Sequence, residues 1–83
     1  MPYRNIVLAP HQQRVVDEKV ALDAKLYALK SFTVSDLFFS LDIEERGRLT
    51  KQAEVMGEYS EILQARISAF LSPLMEAEDA KPR

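Results

Sequence analysis

A chain of 83 residues has room for one domain and little core, because so short a chain buries a smaller fraction of its surface than a longer one does. At 47% hydrophobic and 29% charged, with two glycines and four prolines, it is neither disordered, collagen-like nor a proline-rich linker. The lack of cysteine rules out disulfides and thiolate zinc sites, and the single histidine leaves only carboxylates to build a metal site around; neither a metal nor a cofactor is expected. Eleven basic against thirteen acidic side chains, net -2, argue against coating a polymeric nucleic acid but leave small anionic ligands open.

Ile6-Val7-Leu8 is apolar but too short to define an element. Pro10 suits the first position of a helix, where its missing N-H would have no partner anyway. His11 to about Phe32 then predicts a helix, with Val15, Leu22, Leu26 and Leu29 on one face and Lys19 in the gap. Thr33 followed by Asp36, then Leu37, Phe38 and Phe39, predicts a bent connector of about one helical turn whose aromatics plug the hairpin end.

Asp42 and Glu45 have the spacing of a capping box, and clustered acids suit the positive end of the helix dipole. Leu49, Ala53, Met56, Ser60, Leu63, Ile67 and Phe70 then alternate steps of four and three, a seam suited to antiparallel packing on the first helix. A helix from Asp42 to Leu71 would be about 45 Å long. Pro73 is expected to end it, and residues 76–83 form a polar tail expected to fray. The fold expected is all-α: one helical-hairpin domain over residues 1–75, with a short N-terminal segment and a bent connector. No run reaches the ~20 apolar residues of a membrane span, and Met1-Pro2-Tyr3-Arg4-Asn5 lacks a secretion signal's apolar run, so a cytoplasmic location without membrane contact is expected.

Two helices cover only one stripe of each other. A second apolar flank remains on each, Val16, Val20 and Tyr27 on the first and Val55, Tyr59 and Ile62 on the second. Burying a large apolar side chain is worth roughly 1.5 to 3 kcal/mol, so leaving six in water sacrifices much for a small domain. Self-association into a homo-oligomer is the expected remedy. Gly47 and Gly57, unfavourable inside a helix, either mark close approach of another backbone or are tolerated at exposed positions.

Lys19 lies within the first seam, and Arg66 continues the flank of Val55, Tyr59 and Ile62. Their stems could cover apolar surface while the charges reach water, or cations from several copies could converge on a phosphate. His11, Gln12, Gln13 and Arg14 form either an ordinary polar helix start or a ligand-binding turn able to read a base edge and grip a phosphate. No nucleophile with a base, carboxylate pair or metal constellation is recognisable, so no catalysis is expected. Glu54, Glu58 and Glu61 recur at helical spacing as a solvated face.

The block Pro10-His11-Gln12-Gln13-Arg14-Val15-Val16-Asp17-Glu18-Lys19, with Leu41-Asp42, Met56, Tyr59-Ser60 and Arg66-Ile67, resembles the small phage anti-CBASS sponge proteins, over roughly residues 10–71. These share a helical-hairpin domain with a class of Thoeris anti-defence proteins. The resemblance implies a non-enzymatic protein acting in the host bacterial cytoplasm, which sequesters cyclic dinucleotides such as cyclic GMP-AMP, and in some members cyclic trinucleotides, away from the CBASS effector. It also implies a compact homohexamer with ligands held between protomers. The family's pockets use a tyrosine near the amino end, a lysine on the first long helix and an arginine late on the second. By position these are Tyr3, Lys25 and Arg66, with Tyr27 as an alternative tyrosine and His11, Gln12 and Arg14 lining the same region. The competing expectation is a small helical interaction module that inhibits a host protein by binding it through its apolar flanks; a nucleic-acid accessory role is a third.

Overall fold

The computed structural model describes the backbone of residues 7–79 and the side chains of residues 7–73. Helix α1 spans Pro10–Thr33, α2 is the single turn Asp36–Phe39, and α3 spans Ile43–Asp79. The long helices pack as an antiparallel hairpin, and the molecule measures 62 × 23 × 20 Å along its principal axes.

Pro10 takes the first helical position, as expected. Ala9 has no side-chain acceptor, so its carbonyl receives the Gln12 and Gln13 N-H groups, each at 2.9 Å, while the Gln12 side-chain oxygen accepts the Ala9 N-H at 2.9 Å. That is the glutamine half of a capping box.

At the connector, the cap is Ser35 rather than Thr33. The Thr33 hydroxyl donates back to the Lys30 carbonyl at 2.8 Å and so serves the last turn of α1. Ser35 accepts the Phe38 N-H at 3.2 Å and donates to the Phe32 carbonyl at 2.6 Å, tying the start of α2 to the end of α1. Phe38 is buried and meets Phe32 and Phe39 edge-on, with centroids 6.0 Å and 5.2 Å away. It is the plug expected of the connector, whereas Leu37 and Phe39 point outward.

Asp42 caps α3 through its carboxylate, which accepts the Glu44 N-H at 3.0 Å. Glu45 does not complete the box but accepts from Arg48 Nε at 2.8 Å. A correction applies at the other end: α3 continues through Pro73 to Asp79 instead of stopping near Leu71. Proline removes one N-H and crowds the carbonyl four residues earlier, that of Ala69. Ala69 and Pro73 are both exposed, and the following Leu74, Met75, Glu76 and Ala77 favour helix.

The core is thin. Val15, Leu63 and Ile67 are buried in one cluster, with Val16, Leu22, Phe70 and Leu71 packed against it. All seven expected α3 seam positions are buried or half-buried, as are Val15, Lys19, Leu22, Leu26 and Leu29 of α1. The periodicity therefore located the contact correctly. A methyl group at Gly47 or Gly57 would meet nothing within 4 Å, so no other segment of the hairpin approaches either glycine.

Candidate functional site

Antiparallel pairing sets the first turn of α1 against the late turns of α3. His11, Gln12, Val15, Arg66, Ala69 and Phe70 line a cleft of about 340 Å³ at this open end of the hairpin. Arg66 and Phe70 are four residues apart and so neighbours on one face of α3, a cation beside an aromatic ring. His11 and Arg66 are exposed, while Gln12 and Phe70 are half-buried. Gln12 keeps both amide N-H donors for a ligand, while its oxygen already accepts one bond, from Ala9. The Gln12 and Gln13 N-H groups are likewise engaged by the Ala9 carbonyl, which weakens the expected pull of this helix start on an anion. The cleft can therefore grip a phosphate through Arg66 and shelter an apolar ring against Phe70, with His11 and the Gln12 amide at its rim.

Of the other candidates, Arg14 is exposed on α1 and is not among the cleft-lining residues. Lys25 and Tyr27 stand about 20 Å or more farther along α1 than Gln12, so one chain does not bring them to the cleft. Tyr3 lies outside the described residues.

The second apolar flanks fall on opposite faces. At about 100° per residue, Val16, Val20 and Tyr27 lie on the side of α1 that carries Asp23, whose bond to Ser60 identifies the matching side of α3. Val55, Tyr59, Ile62 and Arg66 lie on the other side of α3. Val16 is partly absorbed by the core, a correction to the six expected in water. Val20, Tyr27, Val55, Tyr59 and Ile62 remain exposed, Tyr27 at 76%.

Lys19 resolves differently from either expectation. Its Nζ donates to Asp23 Oδ2 at 2.6 Å and to Ser60 Oγ at 3.1 Å, and Ser60 donates to Asp23 Oδ1 at 2.5 Å. With its side chain 19% exposed and its charge matched by Asp23, Lys19 neither reaches water freely nor offers an unpaired cation to phosphate. Asp23 went unrecognised in the sequence, and Ser60 was read only as a seam position and not as a partner of Lys19, although Lys19 and Asp23 have the four-residue spacing of a helical ion pair.

The Lys19 hydrogen bond, followed by that of Ser60, holds the Asp23 carboxyl below its ordinary 3.8. A carboxyl depressed on folding contributes stability that is complete above its unfolded titration and lost as the pH falls through the folded value. Asp23→Asn is thus expected to flatten the decline of the thermal midpoint as the pH drops below about 4; an acid limb of unchanged steepness in the variant contradicts this.

Among the described residues, no group of three or more histidine and acidic side chains is placed to hold a metal ion. Glu54 accepts from Lys51 at 2.8 Å, and Glu54, Glu58 and Glu61 are all exposed, a solvated face as expected. No described helix is long and apolar enough to cross a membrane. No curated protein and no solved structure matches the chain significantly. The model of a protein family called Sequestin matches residues 9–69. The match takes in α1, α2 and α3 as far as Ala69, the stretch that carries the likeness to the phage sponge proteins, and the chain belongs to the Sequestin family.

Proposed function

We propose that this protein is a stoichiometric trap for cyclic oligonucleotide messengers, acting in the cytoplasm of a phage-infected bacterium. It takes up cyclic dinucleotides such as cyclic GMP-AMP, and cyclic trinucleotides at further sites, and so deprives the CBASS effector of its activator without catalysing a reaction. The observation that carries this reading is the cleft in which Arg66 and Phe70 from α3 face His11 and Gln12 from α1. It supplies the two contacts a nucleotide needs, a guanidinium for phosphate and an apolar wall for a base. Membership of a family named for sequestration agrees with binding as the activity.

A trap must hold its ligand below the effector's working concentration, and nanomolar affinity corresponds to about -12 kcal/mol. One open cleft is too shallow for that, and Lys25 and Tyr27 are remote from it within a chain. Neighbouring copies would close the cleft and bring these residues to it. Exposed apolar flanks on opposite faces favour such an assembly, because a single twofold contact covers only one of them. A closed homohexamer satisfies both.

The test joins mass and melting. A hexamer by light scattering whose thermal midpoint rises with micromolar cyclic GMP-AMP is expected, since a ligand that binds only the folded form stabilises it by mass action. A monomer indifferent to cyclic nucleotides overturns the reading. That outcome would favour inhibition of a host protein, for which Val34, Leu37, Phe39 and Ile43, exposed together near the connector, provide an apolar surface at the other end.

A further inference from the structure

Each seam has one polar exception. In α1 it is Lys19 among Val15, Leu22, Leu26 and Leu29; in α3 it is Ser60 among Leu49, Ala53, Met56, Leu63, Ile67 and Phe70. The two exceptions meet, and Asp23 closes the triangle with both. We infer that Lys19, Asp23 and Ser60 form a register lock, positioning residues that set α3 along α1 so that Arg66 stands over His11 and Gln12.

Apolar contact does not fix this register by itself. It has no direction, and the α3 seam repeats at steps of four and three, so sliding by one turn, about 5.4 Å, brings another hydrophobic residue into every place except the one that Ser60 enters. The connector restrains it only in part: Ser35 and the buried Phe38 tie α2 to the end of α1, but between α2 and α3 the hydrogen bonds are local, Ser40 to Leu37 and Asp42 to Glu44. In the slid registers Leu63 or Met56 faces Lys19, and a half-buried ammonium loses one of its two partners. A polar pair within an apolar seam thus sacrifices some stability and excludes alternatives, the role best established for polar core positions in coiled coils.

The consequence reaches the cleft directly. Gln12 lies seven residues before Lys19 and Arg66 six after Ser60, so both cleft walls are about 10 Å from the lock along their helices. A slip of one turn carries Arg66 past His11 while leaving the hairpin helical and compact. The inference deepens the proposed function and rests on it for its binding arm alone.

The chain has no cysteine, so spin labels can be placed at Ala28→Cys and Ala65→Cys, both exposed positions and about 20 Å apart along the hairpin axis, so that a slide changes their separation directly, with labelled chains diluted in unlabelled ones to read intrachain distances. The parent and Ser60→Thr, which keeps the hydroxyl, are expected to give one narrow distance. Ser60→Leu and Lys19→Leu, checked as helical by circular dichroism, are expected to add a second, displaced population and to weaken cyclic GMP-AMP binding at least tenfold, with Ser60→Thr retaining it. A single parental distance in whichever leucine variant remains helical overturns the lock. If the leucine variants shift the distance but the parent binds no cyclic GMP-AMP, the lock stands and the ligand assignment falls.

Discussion

Leu63→Ala is expected to destabilise the protein by about 3 kcal/mol, the largest stability loss available from one methyl-rich side chain in this seam. Among the described residues, Leu63 is the one large side chain with no exposed surface, and Val15 and Ile67 complete its buried cluster. Removing it deletes the apolar transfer energy and leaves a cavity that two rigid helices collapse into only partly. For a domain whose whole stability is on the order of 5 kcal/mol, that is more than half. Urea denaturation at one fixed protein concentration checks it, since association would make the midpoint concentration-dependent. A loss under about 1 kcal/mol would mean that the hairpin does not depend on this contact.

Arg66→Ala is expected to weaken cyclic dinucleotide binding by at least about 2 kcal/mol, roughly 30-fold, while leaving helicity and melting in the absence of ligand unchanged. The separation follows from where Arg66 sits: it lines the cleft yet is exposed, so its loss removes a charge-assisted contact without opening the core. Arg66→Lys should fall between the two, because an ammonium keeps the charge but not the paired donors that match a phosphate. Calorimetry showing unchanged affinity in Arg66→Ala would remove this residue from the site.

The two variants address different parts of the molecule, and the lock joins them. Leu63 is three residues beyond Ser60 and Arg66 three beyond Leu63, so one stretch of α3 carries register, core and ligand contact in succession. A defect in the first should therefore appear as a binding defect without a matching loss of helix. This is why distance, stability and affinity must be read separately.

Much of this fold was legible in the residues. The steps of four and three from Leu49 to Phe70, the apolar face of α1 and Pro10 at its start follow from helical geometry alone, which one helix imposes whatever it packs against. Short-range competition was less legible. Thr33 and Ser35 are both competent caps, and the hydroxyl that wins depends on where α1 chooses to end. Pro73 was misjudged because a proline costs a helix one hydrogen bond and a bend without having to end it, and α3 continues through the helix-favouring residues that follow.

The sequence by itself determined that two amphipathic helices exist, which faces they bury, and that apolar surface is left over, because these properties depend only on periodicity and side-chain chemistry. Only the tertiary structure decided that Lys19 spends its charge on Asp23 and Ser60, that the leftover flanks point to opposite sides, and that His11, Gln12, Arg66 and Phe70 share one cleft. Those outcomes depend on the register and handedness of packing between residues some forty to sixty positions apart. Hydrophobic spacing along either helix is nearly unchanged by a slide of one turn, so it cannot encode the alignment that the polar contacts supply.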